Sequence, residues 1–185
     1  AARLKHAELG KSRAAAYLAA REAALGDAPI YDIAKLAEAA HAAGDAAAAA
    51  RLLDKARAAA TDHYGLTHVG RLYADMGDAA KADELYAAAA AACASGDACI
   101  QFIDRLRGFA LPPAALKKWY AECGKKMSQP ADKLRWAEGI ADALNDKPWA
   151  TEVYGELASQ FPGDARFALS RHSRADLNYF GKVRR

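Results

Sequence analysis

Apolar and small residues along this chain recur with helical spacing, and short polar corners interrupt them at a nearly constant interval. Gly44-Asp45, Gly77-Asp78, Leu111-Pro112 and Asn145-Asp146 mark the corners, and the steps between them are 33, 34 and 34 residues. A further step back lands on Gly10-Lys11. Five residues after each marker stand Ala49, Ala82, Leu116 and Ala150. Eight after it stand Leu52, Leu85, Trp119 and Val153, followed by Leu53, Tyr86, Tyr120 and Tyr154. Several columns in one register over four units identify an internal repeat. Small residues fall where helices must approach closely, and large ones where space between them must be filled. The spacing predicts helices over 1–9, 11–25, 29–43, 46–60, 63–76, 79–94, 98–110, 113–127, 131–144 and 147–160, with a less regular one over 165–180. No strand pattern competes.

The corners have a physical basis. Glycine and asparagine tolerate the left-handed conformation that ends many helices. A following aspartate then accepts from the free N–H groups of the next helix. Leu111-Pro112-Pro113 departs from this, but proline can open a helix whose first N–H needs no partner. Pro29 and Pro148 read as helix-start prolines too. Each helix pair would bury its apolar face only against its neighbours, so the repeats form one array rather than separate domains.

The second repeat carries Val69-Gly70, Tyr73, the Gly77-Asp78 corner, Ala82, Tyr86 and Ala89. The first has Leu36, Ala37, Ala40, Gly44, Ala49, Leu53 and Ala56 at the same places, and the fourth keeps Ala150, Tyr154 and a closing Pro162. In this the chain resembles the tetratricopeptide repeat family. The third repeat departs most, with Asp104, Arg107 and Leu116, and the fourth has Glu138 where a small residue is usual. The resemblance implies an all-α, right-handed superhelical solenoid of antiparallel helix pairs. It gives an incomplete leading repeat over 1–29, four repeats over 30–62, 63–96, 97–130 and 131–162, and a basic C-terminal segment over 163–185. An array that starts inside a helix implies further repeats or another domain before it.

In such repeats the first helices of successive pairs line a groove that takes a partner peptide. Carried over by position, the groove presents Tyr31, Ala34, Glu38 and His41, then Tyr64, Thr67, Arg71 and Asp75, then Gln101, Arg105 and Phe109, then Asp132, Arg135 and Asp142. Arg71 and Arg105 are equivalent, and Arg135 lies one turn away on the next repeat. Guanidinium groups pair with carboxylates in bidentate geometry, so one expectation is a peptide with acidic side chains or a free C-terminal carboxylate. The other is that these arginines pair with nearby aspartates. The Lys/Asn constellation that clamps the acidic tails of heat-shock chaperones is replaced here by Ala34, Glu38, His68 and Phe102.

Composition adds less. Hydrophobic residues reach 53% chiefly through alanine, and aromatics are 9%. The net charge is +3, of which residues 163–185 carry +4, leaving a nearly neutral body. That segment is either a solvated end or an arm for an acidic partner, nucleic acid or membrane. No apolar run reaches transmembrane length and no secretory signal is visible, so the expectation is a soluble protein, cytoplasmic rather than exported. Cys93 and Cys99 flank a Ser95-Gly96 turn. A bridge there is geometrically possible, two free thiols the simpler reading, and Cys123 reads as core.

His63 and His68 lie five apart, on different helix faces, with nothing to complete a metal-ligand spacing. No phosphate loop, Gly-x-Ser-x-Gly elbow or histidine-activated cysteine is present, and Trp119, Trp136 and Trp149 read as packing. The expectation is a protein–protein interaction scaffold or adaptor without catalysis, metal or cofactor. It binds a peptide or protein in its groove, and a homo-oligomer or a neighbouring domain of the same protein could be that partner. The alternatives are a recruitment segment of a larger, catalytic protein and a nucleic-acid binder working through the basic tail. A base-reading helical repeat would need a basic groove, whereas Glu38, Asp75, Asp132 and Asp142 interrupt this one.

Overall fold

A computed structural model describes residues 2–109 and 111–162, with side chains described from residue 12. The basic segment 163–185, and the helix expected over 165–180, lie outside the described residues. Among those residues every regular element is an α-helix: α1 (Ala2–Ala23), α2 (Ile30–Ala42), α3 (Ala46–Ala59), α4 (His63–Asp75), α5 (Ala79–Ala92), α6 (Gly96–Arg107), α7 (Pro113–Gly124), α8 (Pro130–Ala143) and α9 (Lys147–Gln160). None is long and apolar enough to cross a membrane.

The corners are built as the residue types require. Gly44 and Gly77 adopt φ of +79° and +88°, and Asn145 adopts +51°. The Asp45 N–H donates to the Ala40 carbonyl at 2.9 Å, and the Asp78 N–H to the Tyr73 carbonyl at 2.8 Å, the reach-back bonds that close a helix C-terminus. The same aspartates then turn their side chains forward. Asp45 accepts from the Ala48 N–H at 2.9 Å, Asp78 from Lys81 at 3.1 Å and Asp146 from Trp149 at 3.2 Å. At the third corner Pro112 precedes α7 without a side-chain cap, and Pro113 opens the helix.

One expected corner is not formed. No break occurs at Gly10-Lys11, because α1 runs unbroken from Ala2 to Ala23. Lys11 offers no acceptor to begin a new helix, whereas the aspartates at the other corners do. A glycine inside a helix costs only about 1 kcal/mol relative to alanine, which the alanine-rich flanks offset. The leading segment is thus one long helix, not the two short ones expected over 1–9 and 11–25.

The repeat columns are the core. Ala49, Leu52, Leu53, Ala82, Leu85, Tyr86, Leu116, Trp119, Tyr120, Ala150, Val153 and Tyr154 are all buried. The chain divides into two compact units, Ala1–Ala92 and Cys93–Arg185. In the first, α1 packs on α2, α2 pairs with α3 and α4 with α5, and α4 also meets α2 and α3. In the second, α6 pairs with α7 and α8 with α9, and α8 also meets α6 and α7. Small residues permit the close approaches. A Cβ on Gly70 of α4 would lie 2.8 Å from the Tyr86 ring of α5, and one on Gly124 of α7 would lie 2.3 Å from the Trp136 ring of α8.

Candidate binding face and cavity

In each unit the first helices of successive hairpins lie side by side, α2 with α4 and α6 with α8. Side chains cross-link them. In the first unit the Tyr31 ring, 44% exposed, tilts against His68 with centroids 5.1 Å apart. Two turns further on, Arg71 Nη2 lies 3.1 Å from Glu38 Oε1, while its Nε lies 3.3 Å from Asp75 Oδ2. Tyr64 is half-buried and tilts against its neighbour His63, centroids 4.1 Å apart.

Three predicted residues of this unit stand elsewhere. Thr67 is fully buried, its hydroxyl donating to the His63 carbonyl one turn back, so it presents no surface. Ala34 is buried likewise. His41 lines a second cavity of about 230 Å³ with Ala49, Leu53, Tyr73, Met76 and Lys81, a set drawn largely from the hairpin corners and second helices.

In the second unit Arg135 Nη1 of α8 donates to Asp97 Oδ1 of α6 at 2.8 Å. Gln101 donates to the other oxygen of Asp97 at 2.7 Å. Arg105, Gln101 and Phe109 are half-buried. Asp132 stands over Gly96, where a Cβ would lie 2.4 Å from its Oδ2. Of the predicted arginines, Arg71 and Arg135 are thus each engaged by a carboxylate on a neighbouring first helix. Exposed pairs of this kind contribute roughly 0–1 kcal/mol, so they mark the charge balance of the face more than they stabilise it.

Beside the Arg135–Asp97 pair, α6, α7 and α8 enclose a cavity of about 240 Å³. Its walls include Asp104, Arg107, Tyr120, Trp136, Glu138 and Asp142. Arg107 Nη1 lies 3.3 Å from Asp104 Oδ1, one turn back on the same helix. Trp136 is fixed from two sides: its indole N–H donates to the Tyr120 carbonyl at 2.9 Å, and its ring meets Trp149 edge-on at 5.6 Å. Tyr120 is 1% exposed. Its hydroxyl oxygen is the atom nearest to where a Cβ on Gly139 would stand, at 2.6 Å, and Gly139 also lines the cavity. Burial pushes the Tyr120 phenol up to about 12; Asp104 and Asp142 add to the rise, and Arg107 opposes it. The phenol is therefore protonated at neutral pH.

Most of these wall residues escaped the positional carry-over, yet the sequence flagged several. Asp104, Arg107 and Glu138 are the very positions at which the third and fourth repeats depart from the small-residue and aromatic pattern. Where repeat two puts Gly70 and Tyr73, repeat three puts Asp104 and Arg107. Charged groups there leave space open instead of closing it.

All three cysteines are buried free thiols, with no Cys93–Cys99 bridge. Hydrogen bonds join Cys99 to both Cys93 and Cys123 and, with burial, hold those two thiols well above the usual range. Such thiols are poor nucleophiles. Among the described residues no group of three His, Cys, Asp or Glu side chains is placed to hold a metal ion. Comparison with protein-family models, with curated proteins and with solved structures finds no match to this chain.

Proposed function

We propose that this chain is a tetratricopeptide-like helical-repeat adaptor that binds a peptide segment of another protein along the first helices of its hairpins. The observation that carries this reading is the α6–α8 cavity, set in the face where two first helices run side by side and walled by residues that break the repeat pattern. Repeat columns that serve packing are buried; those that line this face keep mixed charge and aromatic surface. Aromatic and arginine side chains on a rigid helical scaffold are the usual carriers of binding energy. On this reading the hairpins continue as a right-handed solenoid, the arrangement in which first helices share one concave side.

The expectation of an acidic ligand loses ground here. Arg71 already faces Glu38 and Asp75, and Arg135 already faces Asp97. An incoming carboxylate would have to displace groups of its own charge.

The test is selection of a displayed library of random peptides against the chain. Enriched peptides should bind at least about tenfold more weakly, roughly 1.4 kcal/mol, to a Tyr31→Ala/Arg135→Ala variant. They should bind unchanged to Glu84→Ala/Glu122→Ala on the second helices. The reverse pattern, or no enrichment, would overturn the reading.

A further inference from the structure

All three cysteines of the chain fall in the second unit and are buried there. Cys93 stands between the end of α5 and the Ser95 cap of α6, Cys99 closes the first turn of α6, and Cys123 lies in the last turn of α7. The sulfur of Cys99 is hydrogen-bonded to those of both others.

Packing fixes these contacts from several sides. Phe102, one turn beyond Cys99 on α6, meets Trp119, one turn before Cys123 on α7, edge-on with centroids 6.2 Å apart. Positions 99 and 123 are therefore the adjacent rung of one antiparallel helix pair. Lys126 Nζ donates to the Cys93 carbonyl at 3.0 Å and ties the end of α7 to the segment that enters α6.

Pairwise contact suits one chemistry in particular. Among the described residues no three side chains of metal-ligand type converge, but a disulfide needs only two that point at one another from nearby backbones. Cys99 meets that condition twice, yet one sulfur makes one bridge. A Cys93–Cys99 bridge would close a tight ring over the Ser95 cap, whose hydroxyl accepts from the Ala98 N–H at 3.2 Å, and would distort that turn. A Cys99–Cys123 bridge joins two helices already in register and leaves the cap alone.

We propose that the second unit carries a redox switch, in which Cys99 of α6 and Cys123 of α7 form a reversible disulfide that staples the hairpin and leaves Cys93 as a thiol beside it. The inference is independent of the peptide-binding reading above. Hydrogen peroxide, little larger than water, is the class of oxidant that reaches a buried pair. One thiolate attacks the peroxide, becoming a sulfenic acid and releasing water; the second thiol then attacks that sulfur and releases another water. The two thiols lose two electrons and two hydrogens in all, and one peroxide becomes two waters. A small dithiol reverses the step by exchange. Burial and the thiol–thiol hydrogen bonds hold Cys123 above the usual thiol range, so bridging is slow at neutral pH and quickens as pH rises and thiolate becomes commoner.

The experiment holds the full chain in hydrogen peroxide under native conditions, with circular dichroism confirming that it stays helical. Remaining thiols are then alkylated in denaturant and the peptides mapped by mass spectrometry. The expected product is a monomer lighter by two hydrogens, with Cys99 linked to Cys123 and Cys93 alkylated. Dithiothreitol should restore all three thiols. Cys93→Ser should form the same bridge at a similar rate, and Cys99→Ser should form none. In urea the bridged chain should unfold at a higher midpoint than the reduced one, because the bridge restricts the unfolded hairpin. Three free thiols after peroxide, a bridge that includes Cys93, dimers linked between chains, or oxidation onward to sulfinic acid would overturn the proposal. So would a lower midpoint for the bridged chain. Should Cys99→Ser fail to fold, Cys93→Ser still decides the matter, since absence of the Cys99–Cys123 link in that variant overturns it equally.

Discussion

Replacing Trp119 by alanine should cost the second unit about 3–5 kcal/mol. Trp119 is among the largest fully enclosed side chains, 2% exposed, on α7. It meets Phe102 of α6 edge-on with centroids 6.2 Å apart, a geometry that contributes about 0.5–1.5 kcal/mol beyond area alone. Truncation removes the transfer energy of the indole and leaves a void bounded by helices that cannot fully collapse. Urea denaturation followed by circular dichroism should show a lower midpoint with an unchanged slope. A cost below about 1 kcal/mol would mean that α6 and α7 are not held together by this contact.

Tyr86→Ala should cost a similar amount, about 3–5 kcal/mol, in the first unit. Its ring is buried on α5 and lies directly over Gly70 of α4, so that even one added carbon there would stand 2.8 Å from Cε1. Gly70→Ala alone should therefore destabilise by about 1–3 kcal/mol through overpacking. The two substitutions are coupled. In the double variant the alanine methyl occupies space that the lost ring vacated, so the combined cost should fall short of the sum by at least about 0.5 kcal/mol. Simple additivity in the denaturation midpoints would show that Gly70 and Tyr86 do not touch.

These effects follow from positions readable in the sequence. A 33–34-residue register, corners of Gly-Asp type, and columns of small and large residues suffice to place the helices and name the core. Alternation of burial along a helix is set by geometry, which residue size and polarity report faithfully. The exceptions are instructive. Gly10 reads as a corner by spacing, but a corner needs an acceptor to start the next helix, and Lys11 supplies none. Thr67 reads as surface by position, but its hydroxyl is satisfied by the His63 carbonyl one turn back, so it can be buried.

The candidate site was less legible for a different reason. Position in a repeat says where a side chain starts, not what it meets. Arg71 and Arg135 stand on first helices as expected, and helical spacing puts Asp75 one turn from Arg71, but their partners Glu38 and Asp97 are fixed by distances between helices that no spacing rule contains. The cavity depends on three helices at once, and on Tyr120, which the register correctly assigns to the core. Its hydroxyl nonetheless lies at the wall of an opening. What the sequence did offer was a negative signal, in the small and aromatic positions occupied by Asp104, Arg107 and Glu138. Departures from a repeat pattern mark where packing has been relinquished, and such places merit scrutiny as binding surface.

The most direct test of the first-helix face is site-specific photocrosslinking with peptides recovered by display selection. A benzophenone side chain is placed at Tyr31 or Asp104 on first helices, and at Glu84 or Ala121, exposed positions on second helices. Crosslinks from Tyr31 or Asp104, with none from Glu84 and Ala121, are the predicted result. Crosslinks confined to Glu84 or Ala121 would place the ligand on the opposite elements and contradict the account.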